Sequence, residues 1–400
     1  MVSLEEKFLK LGVNNAPGQE MKTDINVTNK SMLVDFSHGD VDAFKPIPRS
    51  LEKFNEGFYL GGKQAYTEYK GKKTIRDDIS EKISRFTNTQ IESDKNLIIT
   101  SGTQGALFLA MGSTISKNDK VAIMEPDYFA NRKIAEFFDA DIFSIQLDYF
   151  GVETGAGINL NQLEESFKKG VKLFLLSNPN NPTGIMYSSI EIKNIAKLAQ
   201  QYNVTIIIDQ LYARQVFDKR EYIHLCAQRE IDPENIISIM GPSKTESLSG
   251  FRLGVAFGSS KIIQRMEKLQ AIVSLRASGY NQTVLDLWFS EPEEWLKERI
   301  KKHQLIRDDL VSKFKLYNDI FDVRATEAGS YLFPKITKFN TTMLNEFIEK
   351  LRTQENIIVT PGTEFGKQFK NSFRINFSQD HQSAVDAVGR LIELAKEYSK

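Results

Sequence analysis

Lys244 stands in a setting suited to covalent chemistry. It lies in Gly241-Pro242-Ser243-Lys244-Thr245-Glu246-Ser247, just after the apolar run Ile236-Ile237-Ser238-Ile239. A second apolar run, Thr205-Ile206-Ile207-Ile208, ends in Asp209. A lysine desolvated at a strand end has its pKa lowered and becomes a nucleophilic amine, as a Schiff base requires. A carboxylate held nearby is what a protonated pyridinium nitrogen needs as a partner. An unpaired carboxylate after three isoleucines would be costly to bury. The competing reading of Asp209 is a cap for the turn that follows. Tyr212, three residues on, is within reach of the same place.

Three further strings bear on that chemistry. Ser101-Gly102-Thr103-Gln104-Gly105-Ala106 joins a strand to a helix, where glycines allow close backbone approach and free N–H groups face an anion. By itself it also reads as an ordinary strand-to-helix turn. Asn178-Pro179-Asn180-Asn181-Pro182-Thr183-Gly184 is more specific, a rigid turn holding a side-chain amide at a strand end. Arg252, in Gly250-Phe251-Arg252-Leu253-Gly254, carries a guanidinium suited to bidentate phosphate binding, or to a surface ion pair.

The elements that must position these residues alternate in type. Helical periodicity over 75–86, 104–115, 129–138 and 189–202 is interleaved with apolar strands at 97–100, 120–124, 172–176, 205–208, 236–239 and 253–257. That pattern predicts an α/β fold, a mostly parallel sheet covered by helices on both faces. Ligands of such sheets gather at the carboxyl ends of the strands. Ser101, Asn178, Asp209 and Lys244 all fall just past a predicted strand, along one edge. Beyond about residue 290 the texture changes to a long charged helix over 291–314, short strands at 331–333 and 373–377, and a closing amphipathic helix. The expected division is an N-terminal arm and part of a small domain over 1–49, a large domain over 50–290 and a small α+β domain over 291–400. Residues 14–32 are polar and poorly periodic and read as a mobile arm.

Composition narrows the class. Lys+Arg and Asp+Glu both number 52, so zero net charge gives no footprint for nucleic acid or an anionic membrane. The single cysteine, Cys226, forbids an internal disulfide and reads as a small buried residue in a reducing compartment. Neither a signal peptide nor a membrane-spanning stretch is recognisable, so the cytoplasm is expected.

Taken together, the Asn178–Gly184 string, Asp209 with Tyr212, and Ser243-Lys244 with Arg252 resemble the fold-type-I pyridoxal-phosphate enzymes. Within these the chain is most similar to class I/II aminotransferases, over roughly residues 35–378. The resemblance implies that Lys244 is the Schiff-base lysine, that Asp209 pairs with the pyridine nitrogen, and that Asn181 and Tyr212 bond the phenolic oxygen of pyridoxal 5′-phosphate. It implies that Tyr128 stacks on the ring, with Phe129 as a competitor, and that Gly102, Thr103, Ser243 and Arg252 surround the phosphate. Tyr66 would reach the phosphate of a neighbouring subunit, which implies a homodimer with shared sites. Arg374, in Phe373-Arg374-Ile375-Asn376-Phe377, would grip the substrate carboxylate beside Gly39. His38 is a candidate substrate contact or a packing residue. Arg276 lies near where relatives place groups that read the substrate side chain, and it also reads as helix-end surface charge. One departure is Gly241, where a hydroxyl often helps hold the phosphate. The implied activity is transamination between an L-amino acid and a 2-oxo acid. The alternatives are β-elimination or oxidation on the same cofactor and, in another class, a non-catalytic effector-binding module.

Overall fold

The computed structural model describes residues 4–10, 32–39, 41, 43–61 and 65–398. Its first elements are helix α1 (Leu4–Lys10), strand β1 (Val34–Asp35), and helices α2 (Ser50–Gly61) and α3 (Lys73–Thr87). Alternation follows: β2 (Leu97–Ser101), α4 (Gly102–Gly112), β3 (Lys120–Glu125), α5 (Phe129–Phe137), β4 (Asp141–Gln146) and α6 (Leu160–Lys168). It continues through β5 (Leu173–Ser177), α7 (Ser189–Tyr202), β6 (Thr205–Asp209), β7 (Ile236–Met240), β8 (Leu253–Gly258) and α8 (Ser260–Val273). The strands from β2 to β8 make one seven-stranded sheet, in the order β2-β8-β7-β6-β5-β3-β4. All its pairings are parallel except those of β8, which runs antiparallel to β2 and β7.

The near-continuous apolar strands are explained by burial on both faces. Leu173 and Leu175 of β5 pack with Leu107, Ile134 and Ile263 from α4, α5 and α8. Phe174 and Leu176 face the other way, onto Leu163 of α6 and Ile195 of α7. Each such side chain contributes roughly 1.5–3 kcal/mol by leaving water. Helix α7 shows how locally the sequence specifies its covering layer. Ser188 and Glu191 form a reciprocal capping box, Ile192, Ile195, Ala196 and Ala199 make the buried stripe, and Asn203 ends the helix at φ 50°.

The remaining chain builds a second core. It comprises α9 (Trp295–Lys315), β9 (Phe321–Asp322), β10 (Tyr331–Leu332), β11 (Lys335–Ile336) and α10 (Thr341–Thr353). After these come β12 (Ile357–Ile358), β13 (Thr360–Pro361), β14 (Phe373–Asn376) and α11 (His381–Glu397). Phe36, Phe314, Phe347, Phe373 and Leu391 lie fully buried in it. Strand β1 pairs in parallel with β12, and Val34 and Phe36 are buried in this second core, whereas Ile47 packs with the sheet domain.

Several elements depart from the sequence expectation. Strand β4 and helices α6, α8 and α10 went unrecognised. β4 lies at the sheet edge with a partly exposed burial pattern, so it lacks the continuous apolar run of the inner strands. The long helix begins at Trp295, after Pro292, and not at Glu291. Most of the predicted arm over 14–32 lies outside the described residues.

Candidate active site

Strands β5, β6 and β7 are parallel and end on one edge of the sheet, at Ser177, Asp209 and Met240. Because β8 is antiparallel, its first residue, Leu253, pairs with Ser101 at that same edge. The reversal delivers Arg252 to the place where the other strands deliver Asn181, Asp209 and Lys244. A cavity of about 520 Å³ opens there, lined by Thr103, Tyr128, Asn181, Asp209, Tyr212, Ser243, Lys244, Arg252 and Arg374. His38 and Gly39 line it too, so nearly all the sequence candidates converge. Tyr66 does not: it lies outside this cavity and is 76 % exposed.

Lys244 lies four residues past the end of β7 and is half-buried rather than fully desolvated. Its Nζ donates to the Gly39 carbonyl. A Cβ at Gly39 would come within 2.9 Å of Nζ and 3.4 Å of the Tyr331 hydroxyl, so a side chain there would push the lysine tip aside. Asp209 accepts from the Leu211 N–H at 3.1 Å, so it caps the following turn while facing the cavity. The protein packed around it pushes its pKa up to about 6, against a weaker pull down from Leu211 and Lys244. Tyr212 is buried, and that burial, followed by the neighbouring Tyr331 hydroxyl, holds its pKa well above the usual tyrosine value.

The anion end is built from backbone. Helix α4 starts directly after β2 and its Ser101 N-cap makes no side-chain capping bond, so the first N–H groups of the helix remain available. Gly102 has φ +78°, and a Cβ there would meet Arg252 Nη2 at 2.6 Å. Gly254 is equally constrained: its Cβ would lie 2.4 Å from the Thr103 nitrogen. Gly241 has the same cause, since a side chain there would press within 2.9 Å of Thr103 Cγ2. Arg252 itself adopts φ 53° and donates from Nη1 to the Ser249 carbonyl at 3.0 Å.

Arg374 comes from β14 of the second core. Its Nη1 donates to Asn181 Oδ1 at 3.1 Å and its Nη2 to the Ser37 carbonyl at 2.7 Å. Its guanidinium stacks 4.3 Å from the Tyr331 ring. The Asn181 bond joins the two cores across the cavity and leaves the amide Nδ2 pointing its donors elsewhere. Arg374 Nε is buried and has no hydrogen-bond partner among the described residues.

Some functional positions were missed from the sequence. Tyr331 touches Arg374, Tyr212 and Gly39, yet it sits in a short run whose only visible signal was strand propensity. Asp127 is buried and accepts from the Ser177 N–H at 2.9 Å and the Tyr128 N–H at 2.6 Å. Ser177 Oγ in turn accepts from the Asn181 N–H at 3.1 Å, so one carboxylate fixes both an aromatic and an amide of the cavity. Burial raises the Asp127 pKa to about 7. A carboxylate just past an apolar strand was legible for Asp209, and the same signal was present here. Arg276 is not in the cavity, and its guanidinium stacks 4.3 Å from the Tyr66 ring.

Comparison with known proteins gives this geometry a family. The sequence profile of aminotransferase class I and II matches residues 31–391. A solved structure of an aspartate aminotransferase from Rhodobacter sphaeroides is 50 % identical, with a TM-score of 0.92 and 99 % of each chain covered. The aspartate aminotransferase of Pyrococcus horikoshii is 29 % identical over 88 % of each chain. The probable aspartate aminotransferase of Methanocaldococcus jannaschii is 26 % identical over 83 % of this chain and 86 % of that one. Members of the class use pyridoxal 5′-phosphate. The cavity fits that group: a lysine amine, a carboxylate for a ring nitrogen, and an uncapped helix start beside an arginine for a phosphate. The chain belongs to the class I and II aminotransferases, and it is a pyridoxal-phosphate-dependent enzyme that moves an amino group between an amino acid and a 2-oxo acid.

Proposed function

We propose that the cavity described above is where this exchange occurs, carried by one observation: Lys244, Asp209 and Arg374 share it although three separate segments supply them. Pyridoxal 5′-phosphate, when bound, supplies a ring that withdraws electrons from the substrate Cα. Lys244 Nζ is the covalent anchor and, once released, would take the proton from the substrate Cα and deliver it to C4′ of the cofactor. Asp209 keeps a proton on the ring nitrogen, while Tyr212 and the Asn181 amide donate to the phenolic oxygen. Tyr128 lies against the ring. Gly102, Thr103, Ser243 and Arg252 hold the phosphate. Arg374 binds the substrate α-carboxylate in a bidentate pair with Gly39 alongside, which orients the Cα–H bond toward Lys244. His38 lies within reach of substrate.

We also infer a homodimer that shares its sites. Leu51, Phe58, Tyr59 and Leu60 of α2, Tyr66, Ile272 and Val273 at the end of α8, and Leu275 after it are all exposed. Phe58 packs on Tyr280 at 5.3 Å, which draws α2 toward the segment after α8. Apolar area of this extent in one region suits a second copy of the chain. Tyr66, outside its own subunit's cavity, is then free to reach its neighbour's. The two separate cores support reading 50–290 as the cofactor domain, with 1–49 and 291–400 contributing the arm and the small domain. The single cysteine, Cys226, is partly buried and fits a reducing, cytoplasmic compartment.

The test is a half-reaction. Purified holoenzyme mixed with amino donor alone should lose the absorbance band of its lysine-bound cofactor and release a 2-oxo acid, and a second 2-oxo acid should restore the band. Ammonia released with pyruvate instead would overturn transamination. Lys244→Ala should lack the band and lose roughly 10²–10⁴-fold in rate.

A further inference from the structure

Assigning the residues above leaves the charges at the mouth of the cavity unexplained. The charged side chains lining it are Lys244, Arg252 and Arg374 on one side and Asp35, Asp209 and Glu364 on the other, with His38 as the remaining titratable group apart from the tyrosines. On the proposed roles every cation is engaged: Lys244 by the cofactor aldehyde, Arg252 by the phosphate and Arg374 by the α-carboxylate. Asp209 is engaged by the ring nitrogen. Asp35 and Glu364 are left over.

Both acids hang from the segments that hold Arg374. Asp35 ends β1, and its Oδ1 accepts from the Ser37 N–H at 2.9 Å and Oγ at 2.6 Å. The Ser37 carbonyl is the one that receives Arg374 Nη2. Glu364 lies in the turn Gly362–Phe365 just after β13, and Thr360 of β13 sits opposite Arg374 of β14. Arg374 nevertheless pairs with neither acid, since its Nη groups go to Asn181, Ser37 and Thr360. Asp35 Oδ2 and the whole Glu364 carboxylate have no hydrogen bond or ion pair among the described residues. The Arg374 Nε, in a residue more than nine-tenths buried, likewise has no hydrogen-bond partner among the described residues. A substrate carboxylate suits that donor, and two unmatched carboxylates beyond it suit a positive charge.

We propose that the amino acid handled at this site carries a cationic side chain, ammonium or guanidinium, read by Asp35 and Glu364. This rests on the reading of the cavity as the transamination site. A second carboxylate on the substrate, as in aspartate, would instead face two like charges, with no uncommitted cation among the described residues that line the cavity. The neighbouring subunit's copy of the Arg276–Tyr66 stack is a competing source of positive charge.

Binding is separated from transamination at Cα by ligands without an α-amino group. Holoenzyme titrated with 6-aminohexanoate or 5-guanidinovalerate, followed through the cofactor absorbance and by thermal shift, should show at least tenfold tighter binding than with glutarate. Single-turnover rates with L-lysine, L-ornithine and L-arginine should exceed those with L-norleucine, L-citrulline and L-aspartate by a similar factor. In Glu364→Gln, an exposed change that leaves the core intact, that selectivity should fall several-fold, and further when Asp35→Asn is added. Preference for glutarate or L-aspartate, abolished by Arg276→Ala, would overturn the proposal, as would selectivity unmoved by both acid substitutions. If no donor changes the spectrum while the cationic ligands still bind preferentially, transamination at this site fails and the cationic specificity stands.

Discussion

Asp209 is held against its own chemistry until a cation arrives. Its pKa is raised to about 6, so in the apoprotein it resists ionisation. Below about pH 3 both folded and unfolded chains are largely protonated there and little penalty exists. The penalty grows as the unfolded carboxyl ionises first, and it is complete above about pH 6. Asp209→Asn should therefore stabilise the apoprotein by about 3 kcal/mol at pH 7.5 and by little near pH 3. Urea midpoints at the two pH values check this, and equal effects at both would contradict it. In the holoenzyme the sign should reverse, because the ring nitrogen then loses its counter-charge. Arg374→Lys should raise KM for the amino donor roughly tenfold or more with a smaller change in kcat, since a point charge replaces a planar fork. Steady-state kinetics separates the two. Residues such as these were legible because chemistry restricts their types and chain order preserves their spacing. Tyr331 was not, because its contacts to Arg374 and Tyr212 come from pairing between β10 and β14, which no local pattern encodes.

At the scale of elements, the inner strands were legible since burial on both faces demands unbroken apolar runs. The edge strand β4 and helix α10 escaped because one side of each faces water or a short connection. The direction of β8 was also hidden: an apolar run looks the same read either way, and yet its reversal is what sets Arg252 beside Gly102. That junction is tightly packed, with Gly254 backed onto the first peptide of α4. Gly254→Ala should displace the helix start, cost about 1–3 kcal/mol by overpacking, and weaken cofactor binding more than substrate binding. Thermal unfolding with and without added cofactor distinguishes the two effects. Loss of substrate affinity alone would argue against an anion site at this helix.

For the whole molecule, the proposed shared sites make a prediction that no single-subunit arrangement reproduces. A Lys244→Ala chain and a Tyr66→Ala chain are each expected to be defective at limiting cofactor. Refolded together in equal amounts, they should recover about a quarter of wild-type activity, because half the dimers are hybrids with one intact site. No recovery would place Tyr66 in its own subunit's site. The fold also sets an order in time. The sheet, Lys244 and Arg252 are all translated well before Arg374, and β1 waits for β12 before it can bring Gly39 against Lys244. A chain emerging from the ribosome thus has the residues of its cofactor cradle translated first and those of its substrate clamp last. Until β14 docks, the lysine amine has neither the Gly39 carbonyl fixed against it nor a carboxylate grip beside it, so synthesis itself withholds turnover from the unfinished enzyme.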